Sequence, residues 1–209
     1  MKDKDKVLLF INGDPPKSFP DVEHYGLIAC TDGAFHYLKN LGFPLDKLDF
    51  ISGDFDSHSG KDEDVYAEKF IYTPDQDKTD FQKALEIIAE KGFVQVDVLG
   101  GSGGEQDHFL GNLTVAYVFK ENLDIKFYDE FSEYYFLPRK ITVKNTKGKL
   151  VSLYPFPIAE SITTQGLNWG LTHGNLSITS RIGTRNFAVE DEVSIEYEKG
   201  DLILFIGRK

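Results

Sequence analysis

The chain has 209 residues, 41% of them hydrophobic and 27% charged, enough apolar side chains for one good core or two modest ones and too many for a disordered segment. Its formal net charge of −11 excludes a nucleic-acid surface, which needs a basic face. A single cysteine, Cys30, excludes an internal disulfide and fits a reduced, cytoplasmic setting, and no apolar run approaches the length of a signal h-region or a membrane span.

From Val7 to about Phe136, short β-rich runs alternate with helical patterns. Val7 to Ile11, Leu27 to Cys30, Leu48 to Ile51, Val94 to Leu99 and Ile125 to Tyr128 read as strands, with Phe70-Ile71-Tyr72 as a further apolar-aromatic run. Ala34 to Leu41, Glu63 to Ala67, Phe81 to Lys91 and Phe109 to Asn122 read as helices. Such alternation gives a mostly parallel sheet covered by helices, a Rossmann-like α/β/α domain over 1–138. Beyond about Lys140 the runs are short, β-branched and separated by Gly, Pro, Asn and Asp: Ile141 to Val143, Leu150 to Tyr154, Leu176 to Ile178, Val193 to Tyr197 and Leu202 to Ile206. They predict a small all-β sandwich over 139–209, and at about 70 residues such a unit needs docking or dimerisation to complete its core.

The polar motifs of the first domain all fall where its strands end, and ligands gather at the C-terminal ends of such strands. They are Asn12-Gly13-Asp14, Thr31-Asp32-Gly33, Gly53-Asp54-Phe55-Asp56, Asp75 to Asp80, and Gly100 to His108. Asp54 and Asp56, one residue apart in an extended segment, point the same way, and like charges held that close call for a cation. Oxygen ligands beside a phosphate site suit Mg2+. The glycine-rich turn ahead of the third long helix exposes backbone N–H groups at a helix N-terminus, a ready phosphate site. Each motif has a plainer account as well. Asp and Gly are turn formers, Thr79 and Asp107 suit helix caps, Lys78 suits solvent in an acidic loop, and Trp169 suits a sandwich core.

Taken together, Asp32-Gly33-Ala34, Gly53-Asp54-Phe55-Asp56-Ser57, Asp75-Gln76-Asp77-Lys78-Thr79-Asp80, Asp107-His108-Phe109-Leu110-Gly111-Asn112-Leu113 and Gly166-Leu167-Asn168-Trp169 resemble, in order and spacing, the thiamine pyrophosphokinase family. The resemblance implies transfer of a pyrophosphoryl group from ATP to the hydroxyl of thiamine, with Mg2+ as cofactor. It implies an α/β catalytic domain followed by a β-sandwich, in a homodimer with sites between subunits. It implies that Asp54, Asp56, Asp77 and Asp80 are catalytic, with Asp54, Asp56 and Asp77 on the metal; Asp54 or Asp56 is in addition the candidate to accept the hydroxyl proton. Nucleotide contacts fall to Asn12, Asp32, Gly33, Lys78, Thr79, Gly103, Gly104, Asp107 and His108. Thiamine contacts fall to Trp169, Arg185 and Asn186, with Trp169 stacking on the flat cation.

Two positions depart from the family pattern. Glu105 and Gln106 follow the double glycine, where family members often carry Arg, and Arg185-Asn186 replaces the family's Ser-Asn pair. A carboxylate cannot give the bidentate phosphate contacts of a guanidinium, and an Arg beside a cationic thiazolium is unfavourable. Either Arg185 supplies the missing positive charge or the acceptor is a different alcohol. Two readings of other classes compete: a haloacid-dehalogenase-type phosphatase with Asp54 as nucleophile, and a non-catalytic relative that only binds a nucleotide or a thiamine compound.

Overall fold

The computed structural model describes residues 3–55 and 66–208. It falls into two compact units, Met1–Asp129 and Glu130–Lys209. The first holds a parallel sheet of six strands: β1 (Asp3–Phe10), β2 (Tyr25–Thr31), β3 (Phe50–Gly53), β4 (Phe70–Tyr72), β5 (Gln95–Leu99) and β6 (Asp124–Tyr128), in the order β4-β3-β2-β1-β5-β6. All of its neighbouring pairs run parallel. The chain builds outward from β1 to β4 on one side and then returns to place β5 on the other. That reversal at β1 is a topological switch point, where a crevice opens at the strand C-termini.

Among the described residues three helices connect these strands: α1 (Asp32–Asn40), α2 (Asp80–Glu90) and α3 (Gln106–Phe119). Leu8, Phe10, Ile28, Cys30, Ile51 and Leu99 alternate onto one face of the sheet and share a cluster with Ala34, Phe35 and Leu38 of α1. The intervening residues Val7, Leu9, Ala29, Val96 and Val98 are equally buried and belong to the opposite face. Burial on both faces explains why these strands read as unbroken apolar runs. Each fully buried Leu, Ile or Phe contributes about 1.5–3 kcal/mol. Helix α2 starts at Thr79, whose Oγ1 accepts from the Gln82 N–H at 3.2 Å, and buries Phe81, Ala84, Leu85 and Ile88. Of the helix expected from Glu63 to Ala67, residues 63–65 lie outside the described residues, and Ala67–Lys69 form one 3₁₀ turn.

The second unit is antiparallel: β7 (Ser132–Phe136), β8 (Lys140–Val143), β9 (Leu150–Gln165), β10 (Gly174–Ser177), β11 (Gly183–Phe187), β12 (Val193–Glu196) and β13 (Lys199–Gly207). The order is β7-β13-β9-β12-β8, with β10 and β11 also pairing β9. The long strand β9 pairs β13 along Val151 to Glu160 and β12 along Thr163 to Gln165, so one strand serves two sheets. Between them lies a core of Val151, Leu153, Ala159, Ile162, Leu176, Val193, Ile195, Leu202, Leu204 and Ile206. Sequence patterning missed β7 and β11: Ser132 to Phe136 sits at the unit junction, and β11 carries Thr184, Arg185 and Asn186 with little alternation. Because β7 pairs β13, the second unit takes in a strand that the sequence reading put before the break.

At the other end of the first sheet a polar knot is buried. Asp97 of β5 is 4% exposed; its carboxylate lies 2.7 Å from the Lys6 ammonium and accepts from the Tyr25 hydroxyl at 2.9 Å. Burial first, and Asp97 second, hold the Tyr25 hydroxyl far above the usual phenol range. The knot ties β1, β2 and β5 together. Removing the central acid leaves a half-buried ammonium and a phenol without their partner, so Asp97→Ala should lower unfolding free energy by about 3 kcal/mol and Tyr25→Phe by about 1.5 kcal/mol in urea denaturation.

Candidate active site

The acidic edge of the first unit is built on close approach. Asp32 opens α1 at the end of β2, and its carboxylate lies against Gly53 at the end of β3. A Cβ on Gly53 would sit 2.3 Å from the Asp32 carboxyl carbon, so only glycine fits there. Asp32 accepts from the Gly33 N–H at 2.6 Å and from the Phe55 N–H at 3.2 Å. Phe55 holds a left-handed backbone at φ 58°, an uncommon and strained state for an aromatic residue. Its ring packs edge-on to Phe70 with centroids 4.5 Å apart.

Burial pushes the Asp32 carboxyl above its ordinary value, and the carboxylates of Asp80 and Asp54 push it further, against the two N–H bonds that pull it down. Three acids from the ends of β2, β3 and the start of α2 thus share one field. Asp54 accepts from the Gln76 side chain at 2.8 Å, and the Asp77 N–H donates to Asp75 at 3.0 Å. Asp56 lies outside the described residues. Among the described residues no three His, Cys, Asp or Glu side chains converge as a complete metal cage. Behind the edge, Thr31 Oγ1 and Ser52 Oγ, in register on β2 and β3, are buried and have no protein partner among the described residues.

Beside this edge, the loops after β1 and β5 pack backbone against backbone. A Cβ on Gly13 would meet the Gly100 carbonyl at 2.3 Å, and one on Gly103 would meet the Asp14 carboxylate at 2.1 Å. The Asn12 side chain lies against Gly33 in the same way. Gly103 and Gly104 both adopt positive φ, which turns the chain into α3, and Asn112 of that helix donates to the Gly101 carbonyl at 3.1 Å. Glu105 occupies the N-cap position without capping; its carboxylate lies 3.6 Å from His108, and Asp107 accepts the His108 N–H. Lys78 is 2.9 Å from Glu86 and 3.8 Å from Asp75. Thr79 is engaged as the cap of α2.

Sequence reading missed Lys83. This lysine is 5% exposed on the buried side of α2, 2.7 Å from Asp80, and it donates to the carbonyls of Thr73 and Asp75. A usable signal was present, since Lys83 falls among Phe81, Ala84 and Leu85 on the apolar stripe, where a charge needs a partner.

In the second unit a cavity of about 150 Å³ is lined by Thr164, Trp169, Leu176, Arg181, Thr184 and Asn186 among others. Trp169 is 57% exposed and packs edge-on to Phe187. Asn186 grips the Trp169 main chain at both ends: its Oδ1 accepts the Trp169 N–H at 3.1 Å and its Nδ2 donates to the Trp169 carbonyl at 2.8 Å. Arg185 is not among the lining residues; it has φ 58° and donates its N–H to Ser152 Oγ at 2.9 Å. The arginine that lines this cavity is Arg181.

Two family models match the chain: the thiamin pyrophosphokinase catalytic domain over residues 21–127 and the thiamin pyrophosphokinase vitamin B1 binding domain over residues 139–202. Thiamine pyrophosphokinase from Bacillus subtilis (strain 168) is 26% identical over 212 residues, covering 95% of this chain and 97% of the relative. Thiamine pyrophosphokinase 1 from Oryza sativa subsp. japonica is 33% identical over 178 residues, 77% of this chain and 66% of the relative. The crystal structure of the Bacillus subtilis thiamine pyrophosphokinase superposes with a TM-score of 0.81 at 24% identity over 96% of this chain and 98% of that one. Yeast thiamin pyrophosphokinase superposes at 0.82 and 20% identity over 99% and 87%. These likenesses share the fold, and the two family models between them span both units in order: the chain belongs to the thiamin pyrophosphokinase family.

Proposed function

We infer that this chain transfers a pyrophosphoryl group from ATP to the hydroxyl of thiamine, giving thiamine diphosphate and AMP. The observation that carries the reading is the crowding of Asp32, Asp54 and Asp80 at the sheet's C-terminal edge, beside a glycine-rich turn at a helix N-terminus. The bond that forms joins the thiamine oxygen to the β-phosphorus, the bond that breaks joins that phosphorus to the oxygen kept by AMP, and the hydroxyl proton passes to a carboxylate.

An oxygen-only donor set of clustered carboxylates fits Mg2+, which takes one or two carboxylates and keeps its remaining positions for phosphates and water. Asp54, with Asp56 and Asp77, would hold it. Bound there, the ion supplies charge neutralisation and a template for the bent triphosphate. Asp32 and Asp80 sustain the field at this position, and Asp54 or Asp56 takes the proton. The N–H groups around Gly103 and Gly104 bind phosphate oxygens, with Asn12, Gly33, Thr79, Asp107 and His108 along the nucleotide and Lys78 exchanging Glu86 for phosphate. Trp169 stacks on thiamine, and Asn186, with its amide committed to the Trp169 main chain, sets the pose of the ring. Arg185, exposed at the irregularity of β11, serves an anionic group. We further infer a cytoplasmic homodimer whose sites are completed at the subunit interface, supported by exposed apolar Ile158, Trp169, Ile178 and Ile182 in the second unit.

Incubation with ATP, Mg2+ and thiamine should yield AMP and thiamine diphosphate in equal amounts, and Asp54→Asn should lower kcat by about a hundredfold or more while leaving the fold intact. Nucleotide binding without AMP in the wild type would instead leave a binding protein. In metal-free protein a carboxyl held above its unfolded pKa favours the fold while protonated, and that contribution fades as pH rises through the folded value. Asp32→Asn should therefore raise Tm at neutral pH and leave it unchanged in acid, while turnover is lost; an equal Tm change at both would discard this account of Asp32. Trp169→Ala should raise the KM for thiamine about tenfold and leave that for ATP within about twofold, in a protein whose light-scattering mass stays twice that of the chain.

A further inference from the structure

Lys83 joins the loop after β4 to the start of α2 from the buried side of that helix. Its ammonium is buried and makes three contacts: Asp80 at 2.7 Å, the Thr73 carbonyl at 2.9 Å and the Asp75 carbonyl at 3.3 Å. Thr73 and Asp75 belong to the loop between β4 and α2, and Asp80 opens α2, so one cation draws the two ends of the segment 73–80 together. From the middle of that segment Gln76 donates to Asp54 at 2.8 Å, and Asp75 holds the Asp77 N–H. The start of the segment is tied to the sheet by the Thr73 N–H, which donates to the Gly53 carbonyl at 2.9 Å, one residue before Asp54.

Building on the reading above, we propose that Lys83 is a positioning residue for the metal-nucleotide site: it fixes Asp80 and the 73–76 loop, and through Gln76 it sets the carboxylate of Asp54. A buried ammonium must satisfy its three donors, and here all three partners lie in the segment that carries the acidic motif. With its ammonium engaged by Asp80 and the Thr73 and Asp75 carbonyls, Lys83 acts through Asp80 and, by way of the loop, Gln76. The positive charge next to Asp80 offsets one of the three clustered acids.

The test compares wild type, Lys83→Met, Lys83→Arg and the exposed variant Gln76→Ala by titrating Mg2+ alone and following Tm, alongside kcat and KM for ATP. Outer positioning residues of metal sites typically cost 10–100-fold. Lys83→Met should raise the Mg2+ concentration for half the thermal shift about tenfold or more and lower kcat similarly, with partial recovery in Lys83→Arg. Gln76→Ala should move the Mg2+ midpoint in the same direction by about threefold with its metal-free Tm unchanged. If Lys83→Met lowers Tm equally with and without Mg2+, and the midpoints of Lys83→Arg and Gln76→Ala match wild type, Lys83 is a structural lysine and the proposal fails. If Lys83→Met does not fold, the other two variants decide by the same criterion. A wild type that shows the Mg2+ shift but makes no thiamine diphosphate would overturn the acceptor reading and leave Lys83 standing; a wild type without any Mg2+ shift would overturn Lys83.

Discussion

Like charge confined at short range is the constraint around which the first unit is arranged. Asp32 is buried beside Asp54 and Asp80, and all of the surrounding devices act on that repulsion. Gly53 clears the space for the Asp32 carboxylate. The Gly33 and Phe55 N–H groups draw its charge, and Lys83 offsets Asp80 from beneath. Phe55 accepts a left-handed backbone so that its N–H can face the acid while its ring stays packed. The free energy for such crowding comes from elsewhere, chiefly the apolar sheet faces and the Lys6–Asp97–Tyr25 knot at the opposite end of the strands. A site that is unfavourable alone becomes favourable when a cation arrives, which is how a fold stores selectivity for its ligand.

The second unit follows a different logic. Its cavity is small, and its main aromatic is exposed rather than buried, so the position of Trp169 cannot come from core packing. It comes from a side-chain amide bonded to both main-chain polar groups of that residue, plus one edge-on phenylalanine. Holding a flat, half-exposed ring in one pose cuts the ordering cost of binding a flat ligand. Arg181 at this cavity adds a positive charge that the sequence reading had looked for at Arg185.

Much of this was legible in the order of residues because the signals were local. Apolar runs at β1, β2 and β3, and the apolar residues flanking Asp97 in β5, mark those strands, and the polar motifs follow them directly, so their common edge follows from the alternation of strand and helix. The family resemblance rested on the same motifs. What could not be read was relational. Nothing in Gln76 announces that it reaches Asp54, and nothing in Asn186 announces that it grips Trp169, since each pairing spans residues far apart in the chain. Lys83 lies among Phe81, Ala84 and Leu85 on the buried side of α2, and its partners Thr73 and Asp75 lie eight or more residues earlier in a loop without pattern. Strands β7 and β11 escaped because both mix polar residues into short runs whose place is decided by pairing with β13 and β9.

The pairing of β13 has a consequence for how the chain reaches this state. It lies between β7 and β9 in its sheet, yet it follows both in sequence by a wide interval. While the chain is being synthesised, β7 and β9 therefore emerge with open edges that no earlier strand can close, and open edges template association with other chains. The first unit closes its parallel sheet with β6, already made by then. Folding is thus staged: an early α/β body, then a wait, then completion of the sandwich when its central strand arrives, a non-local step of the slow kind. A chaperone that shields exposed strand edges would act in that interval.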